Sequence, residues 1–72
     1  MAEYKHFDGE DFITFNILSL DFDKNEITVA ITNRGKITVS TYEILKDMYG
    51  DCYFEYGPFT SIFLMDFYEE ER

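Results

Sequence analysis

The fold is decided by residues 27–40, which read ITVAITNRGKITVS. Two runs alternate apolar residues with small or hydroxyl residues, the apolar members being Ile27, Val29 and Ile31 in the first run and Ile37 and Val39 in the second. A period of two puts successive side chains on opposite faces of a strand. Between the runs, Asn33 and Gly35 are residue types that adopt the positive φ of a tight turn. Residues 27–40 therefore predict a β-hairpin.

The flanking segments also predict strands separated by turns. Residues 2–7 form a short candidate strand that ends at a turn over residues 8–11. Residues 12–20 carry apolar side chains at both odd and even positions, which predicts a strand buried on both faces. Further along, residues 52–56 and 61–67 predict two more strands, joined through a Gly-Pro turn.

Residues 41–49 are ambiguous between strand and helix. Ile44, Leu45, Met48 and Tyr49 fall at helical spacing, and Gly50 could end a helix there. A helix starting at Pro58 is the alternative for the last strand. It would put the acidic residues of the C-terminus at the negative end of its dipole, so a strand is favoured.

These elements predict a mainly β fold. We expect a small, twisted antiparallel sheet of five or six strands that curls towards a barrel, with or without one short helix near residues 42–49. An α+β fold is the alternative. The 72 residues allow one small domain, assigned to residues 1–68, and residues 69–72 are expected to form an acidic tail.

Charge and composition narrow the classes of partner. The formal net charge is −9, and a phosphate-binding face needs a cluster of basic side chains that six Lys and Arg residues do not provide. We therefore expect no direct nucleic-acid binding. No apolar run approaches the ~20 residues of a membrane span, and no signal-peptide pattern follows Met1, so a cytoplasmic location without membrane contact is expected.

The acidic residues are expected to gather at one end of the sheet, because successive antiparallel strands turn at alternate ends. That end collects nine acidic and three basic side chains, a net −6 of the −9. A helix over residues 41–49 would change the parity of the strands and disperse the cluster. The members that we assign to a candidate acidic interaction pole are Asp21, Asp23, Glu26, Asp47, Asp51 and Asp66.

Catalytic and metal-binding patterns are weak. Residues 21–25 begin like a calcium loop, but Glu26 stands where glycine is needed and Thr32 where a bidentate glutamate is needed. The chain has one histidine, His6, and one cysteine, Cys52, which excludes a His/Cys metal cluster within one chain. We predict no catalytic residues, no metal, no cofactor and no enzymatic activity; a hydrolase that uses Cys52 or a carboxylate pair is the remaining alternative.

The six tyrosines suggest a second candidate surface. Tyr53 and Tyr56 flank Phe54 and Glu55, and exposed tyrosine is favoured in protein interfaces. Most of the rings are expected to complete the core of so small a domain. Tyr53 and Tyr56 are the candidate aromatic interaction residues.

Three segments carry a resemblance to a group of proteins. Residues 32–39 (TNRGKITV), 53–57 (YFEYG) and 62–67 (IFLMDF) resemble small acidic proteins of unknown function carried on conjugative transposons and phages of Gram-positive bacteria. The resemblance would extend over most of the chain and brings no catalytic residues with it. It implies an accessory role in the biology of mobile elements.

The function expected from the sequence is that of a non-enzymatic, acidic protein–protein interaction module. One alternative is an inhibitor that imitates the charge of DNA and occupies a nucleic-acid-binding protein. Another is a structural building block, joined into homo-oligomers through edge strands. The sequence leaves the oligomeric state and the partner open.

Overall fold

The chain folds into seven strands and one helix in the computed structural model, which describes residues 2–68. The acidic tail expected at residues 69–72 lies outside the described residues. The elements are, in order, β1 (Glu3–Phe7), β2 (Phe12–Asp21), β3 (Glu26–Asn33), β4 (Lys36–Glu43), β5 (Leu45–Lys46), β6 (Cys52–Tyr56), β7 (Thr60–Phe63) and α1 (Met65–Tyr68). The predicted mainly β class is confirmed.

The strands form two antiparallel sheets. The first has the order β1-β2-β3-β4 and the second the order β5-β6-β7. The prediction of one sheet of five or six strands is therefore wrong, and no closed barrel forms among residues 2–68. The chain leaves the first sheet after Glu43, and the following strands pair with one another across that sheet instead of extending it.

The predicted hairpin is confirmed as β3 and β4. Asn33 pairs with Lys36, and the two intervening residues both have positive φ, 55° at Arg34 and 80° at Gly35. Positive φ at both central positions defines the tight turn whose twist matches that of the flanking strands. Glycine adopts this conformation without strain, which fixes the register of the hairpin.

The two sheets share one apolar core. Phe15 on β2 lies edge-on to Tyr56, with ring centroids 5.0 Å apart, and 6.0 Å from Phe54 of the second sheet. No polar or charged residue is buried among the described residues. The buried members of the core are Ile13, Phe15, Ile17, Ile27, Val29, Ile31, Ile44, Phe54, Ile62, Leu64 and Phe67.

Strand β2 is buried on one face only, so the prediction of burial on both faces is wrong. Ile13, Phe15 and Ile17 are buried, whereas Phe12 and Leu18 are exposed. The second sheet covers only the face that carries Phe15, called here the inner face. The opposite, outer face of the first sheet is left in solvent.

The alternative of a short helix near residues 42–49 is wrong. Strand β4 continues to Glu43, and the amide of Ile44 donates to the carbonyl of Asn25 at 2.8 Å. Tyr42 stacks on Phe54, with ring centroids 5.0 Å apart. Pairing with β3 and this stacking hold the backbone extended, because tertiary contacts override the weak local preference for a helix.

The short helix lies instead at the end of the described chain. Residues 61–67 were predicted as one strand, but β7 ends at Phe63 and α1 follows. The single turn of α1 places Phe67 in the core against Tyr4, with ring centroids 5.6 Å apart. Burial of that ring stabilises a helix too short to persist alone.

Candidate protein-interaction surfaces

The outer face of the first sheet is arranged in rows that run across the strands. One row consists of Lys5, Thr14, Thr32 and Ile37, and the next of Glu3, Asn16, Ala30 and Val39. The Phe7–Phe12 pair stands at the end of the sheet nearest the β1–β2 turn. This pattern gives a neutral centre, with Ile37 and Val39 on the β4 flank, Lys5 and Glu3 on the β1 flank, and the Phe7–Phe12 pair at one end.

Four apolar side chains of this face are largely in solvent. The exposed fractions are 54% for Phe7, 62% for Phe12, 67% for Ile37 and 60% for Val39. The Phe7 and Phe12 rings contact each other, with centroids 5.0 Å apart. We call these four residues the apolar outer face. Large apolar side chains exposed together on one face of a small domain are candidates for an interaction site.

Carboxylates dominate the opposite end of the same face. Asp21 pairs with Glu26, and Glu26 pairs with Glu43, so three acidic residues lie side by side on adjacent strands. We call them the acidic row. Like charges placed directly opposite destabilise a sheet. The row includes two residues of the predicted acidic pole and adds Glu43, which was not among its predicted members.

An irregularity in β2 creates the acidic row. The register shifts between Ile17 and Ser19, which leaves Leu18 as an extra residue. Because side chains alternate with a period of two, this bulge brings Asp21 onto the outer face beside Glu26. Nothing in the local sequence indicates the bulge, which explains why the row could not be predicted residue by residue.

Several acids of the chain close turns. The Oδ1 atom of Asp8 accepts hydrogen bonds from the amides of Glu10 and Asp11, both at 2.9 Å. Asp21 accepts the amides of the second and third residues after it at 3.1 and 3.2 Å, and Asp47 accepts those of the second and fourth, both at 2.9 Å. Turn formation thus gives a structural reason for an acid at each position.

These hydrogen bonds alter the acidity of Asp8. The pKa of its carboxyl group is lowered, chiefly because the amides of Asp11 and Glu10 donate to the ionised form, with a smaller contribution from Arg34. Arg34 also joins two turns, since its Nε donates to Asp11 at 2.6 Å and its guanidinium lies 3.4 Å from Glu10. The β1–β2 and β3–β4 turns therefore lie together, as the alternating turns of a meander require.

The remaining members of the predicted pole occupy two locations. Asp23 lies in the exposed β2–β3 turn, and this turn shares a surface depression of about 330 Å³ with Lys46 and Cys52, next to the turn over residues 47–51. Asp47 and Asp51 belong to that second turn. Asp66 lies on α1. The pKa of Tyr4 on β1 is raised, chiefly by burial and to a smaller extent by the charge of Asp66.

Tyr53 and Tyr56 lie on opposite faces of β6. Tyr53 is half-buried beside Phe63, with ring centroids 5.1 Å apart, on the side turned away from the core. Tyr56 points toward the first sheet and contacts Phe15. The structure therefore does not bring the two candidate tyrosines together in one patch.

A shallow groove lies beneath the inner face of β4, where the second sheet stops short of the edge. Its volume is about 280 Å³, and it is lined mainly by the side chains of Asn33, Lys36, Thr38, Ser40, Tyr42 and Tyr56. Hydroxyl, amide and ammonium groups are interspersed with apolar atoms in this lining. The groove follows the edge of β4 along most of its length.

The two edges of the first sheet differ in the side chains that accompany their unpaired amides. In β4, the backbone amides and carbonyls of the even-numbered residues point toward β3. The Asn33–Lys36 pair that closes the hairpin and the hydrogen bond from the Ile44 amide to Asn25 show this direction. Alternation then directs the amides of Ile37, Val39 and Thr41 to solvent. In β1, the same alternation directs the amides of Glu3, Lys5 and Phe7 to solvent, because Ile17 donates to Ala2.

The side chains that could serve catalysis or metal binding were also located. Among residues 2–68, no group of three His, Cys, Asp or Glu side chains is arranged to hold a metal ion. His6 lies on β1, whereas the half-buried Cys52 begins β6 in the other sheet. None of the helices in this part of the chain has the length and apolar character needed to cross a membrane.

Comparison with known proteins adds no further constraint. The chain matches no family model, and neither a curated protein nor a solved structure matches it significantly. The surfaces described above are therefore the basis for inferring its function.

Proposed function

We propose that the protein is a non-enzymatic interaction module that binds another protein through the apolar outer face. The supporting observation is that Phe7, Phe12, Ile37 and Val39 are each more than half exposed on a sheet face that the second sheet leaves uncovered. Burying an exposed phenylalanine or isoleucine side chain contributes about 1.5–3 kcal/mol to an association. Four such side chains supply a substantial apolar contact for so small a domain.

The charge of the face defines the chemistry of the partner. The acidic row lies at one end of the same face, and the net charge of the chain is −9. A complementary protein carries an apolar patch flanked by Lys or Arg on the side that meets Asp21, Glu26 and Glu43. Charge complementarity of this kind steers encounter and orientation, while apolar burial holds the complex.

Imitation of DNA by the acidic side chains has less support. Asp21 and Asp47 have a structural role in their turns, and Asp66 lies beside Tyr4 rather than in the acidic row. The two modes of binding respond differently to salt. Binding through the apolar outer face survives high salt, whereas a contact made chiefly by charge is screened within about 10 Å at 0.1 M salt.

The resemblance to small proteins of mobile elements suggests where the partner should be sought. We therefore choose the lysate of a Gram-positive bacterium as the source of candidate partners. The immobilised chain is exposed to this lysate at low and at high salt. The double variant Phe7→Thr/Phe12→Thr removes two large apolar side chains of the outer face and keeps residues suited to a strand.

A matched control removes two apolar side chains that are still more exposed and lie elsewhere. Tyr49 and Phe59 are 81% and 95% exposed, and both lie in turns outside the first sheet. We expect the Tyr49→Thr/Phe59→Thr variant to retain a partner that the Phe7→Thr/Phe12→Thr variant loses. Capture of the same proteins by both variants, or loss of every partner at high salt, would contradict the proposal.

A further inference from the structure

The edge of strand β4 offers a second recognition element, which adjoins the partner-binding face proposed above through Ile37 and Val39. Its eight residues form a free edge of the first sheet, from Lys36 to Glu43. The amides and carbonyls of Ile37, Val39 and Thr41 point away from β3, and the side chains of these residues lie on the outer face. A long edge of this kind is a template for another strand.

This edge lacks the features that usually prevent strand addition. No charged side chain lies between Lys36 and Glu43, and neither proline nor a bulge interrupts β4. The other strands at free edges in the described part of the chain are shorter, with five residues in β1, two in β5 and four in β7. Short length and charged side chains protect an edge, so β4 is the edge most open to pairing.

We infer that two copies of the chain pair antiparallel through β4 and join their first sheets into one continuous sheet. A two-fold axis perpendicular to the sheet keeps the outer face of each copy on the same side. Residues opposite one another must then lie on the same face, which restricts the register. The outward-directed amides of β4 supply the hydrogen bonds of the new ladder.

Charge selects the register. With Val39 opposite Val39 of the second copy, Ile37 lies opposite Thr41, and Glu43 lies opposite Gly35. Glu43 of one copy, on the outer face, then lies at the turn of the other copy, whereas Lys36 lies on the inner face. Shifting the register by two residues would either place the carboxylate of Glu43 opposite Ile37 or shorten the ladder to residues 36–40. The two ends of β4 have opposite charge, and antiparallel pairing brings the acidic end of each copy to the basic end of the other.

The inner face of β4 fits the same arrangement. In this register Thr38 lies opposite Ser40 of the second copy, and Lys36 lies opposite Tyr42. All four residues line the groove beneath β4, which is open at the edge. Pairing joins the grooves of the two copies, and the small hydroxyl side chains create no steric obstacle at the centre of the contact.

A second copy is favoured over an unrelated strand because β4 is complementary to itself. The strand supplies apolar and hydroxyl side chains at its centre and opposite charges at its ends. An isologous contact of this type closes after two subunits. Self-pairing leaves Phe7 and Phe12, at the far side of each sheet, available to a heterologous partner.

Sedimentation velocity of the full chain, from about 10 µM to about 1 mM, tests the inference over the range of weak association. We expect a reversible monomer–dimer equilibrium. Val39→Pro removes an outward-directed amide, and Val39→Lys places like charges at the two-fold axis. Each is expected to weaken dimerisation at least about tenfold, a change of about 1.4 kcal/mol. Lys5→Pro, which removes the corresponding outward amide on β1, is the matched control and leaves the dimer intact.

A direct observation of the contact does not depend on the tolerance of β4 for proline. In a mixture of labelled and unlabelled wild-type chains, isotope-filtered NMR should show contacts between the Val39 methyl groups of the two copies.

Three outcomes would overturn the inference: a wild-type monomer over the whole concentration range, a dimer that persists in both Val39 variants, or a dimer without contacts between the Val39 methyl groups of the two copies. The Phe7→Thr/Phe12→Thr variant separates this result from the proposed function, because it should dimerise normally while failing to capture the heterologous partner.

Discussion

The two edges of the first sheet have similar backbones and different side chains. Each edge directs alternate amides to solvent, from Glu3, Lys5 and Phe7 on β1 and from Ile37, Val39 and Thr41 on β4. The β1 positions include both a negative and a positive side chain, and α1 packs Phe67 against the same strand. The β4 positions are neutral. The difference shows that the side chains of the residues whose amides face outward decide whether an edge is protected from strand pairing or open to it.

The comparison also shows how a highly charged chain can retain a site for association. Within residues 2–68, the acidic side chains lie mainly in turns and at strand ends, and none lies at the centre of β4. Net charge keeps small domains soluble and resists nonspecific association. A neutral strand within an acidic molecule therefore favours a specific contact over general aggregation.

The largest effect is expected when proline replaces a residue of β4 whose amide donates to β3. The comparison is with a residue whose amide faces solvent. Thr38→Pro removes an amide that faces β3, and it leaves a ladder carbonyl without its donor. We expect the free energy of unfolding to fall by about 2 kcal/mol or more. Val39→Pro should cost clearly less, since its amide faces solvent. Chemical denaturation of both variants measures the difference, and equal losses would contradict the assigned amide directions.

A second variant makes β1 resemble β4. Glu3→Thr/Lys5→Val replaces the charged residues at two outward-directed amides with residues suited to a strand. We expect species larger than a dimer, because each chain then has two open edges. Light scattering at increasing concentration measures this change. Asp23→Thr/Lys24→Val removes the same two charges from an exposed turn and should leave the association state unchanged.

A smaller effect is expected where the two hairpins of the first sheet are joined. Arg34→Ala removes the contacts of the β3–β4 turn with Asp11 and Glu10, while the strands remain paired. Exposed ion pairs contribute about 0.2–1 kcal/mol, so the free energy of unfolding should fall within that range at low salt. The difference from wild type should shrink at high salt. A loss that is independent of salt would indicate a role of Arg34 other than ion pairing.

The smallest effect is expected on lowering the pH, and it concerns the β1–β2 turn. The lowered pKa of Asp8 means that its carboxylate stabilises the β1–β2 turn at pH values above the ordinary pKa of 3.8. This stabilisation should be lost as the pH falls below 3.8 through the lowered pKa. Asp8→Asn, which retains an acceptor oxygen, should remove that pH dependence. NMR titration of the Asp8 carboxyl group provides the measurement, and an unshifted pKa would contradict it.

Strand positions were largely predictable because local patterns determine them. The alternation around Asn33 and Gly35 specified the β3–β4 hairpin, and turn residues separated the other strands. The face of β2 that the second sheet covers was not predictable. Phe12 is exposed and Phe15 is buried, although both are apolar residues of this strand. The apolar outer face follows from that difference. Local sequence cannot indicate it, because it depends on where the second sheet packs.

The candidate acidic residues show the same limit. Alternation of turns between the two ends of the sheet agrees with the position of Arg34 near the β1–β2 turn. The acidic row depends on the bulge after Ile17, which has no evident signal in the sequence. Tyr53 and Tyr56 were grouped by closeness in sequence, but a spacing of three residues in a strand places them on opposite faces.

The order of the strands has a consequence for how the chain folds. Every pairing joins strands that are consecutive in sequence, in both sheets. Each hairpin therefore requires only a short loop to close, and loop-closure entropy imposes little delay. The one unavoidable long-range step is the docking of the second sheet onto the inner face. Until that step, Phe15 and its neighbours would be as exposed as Phe12 is in the folded chain, so docking is the event that first distinguishes the two faces.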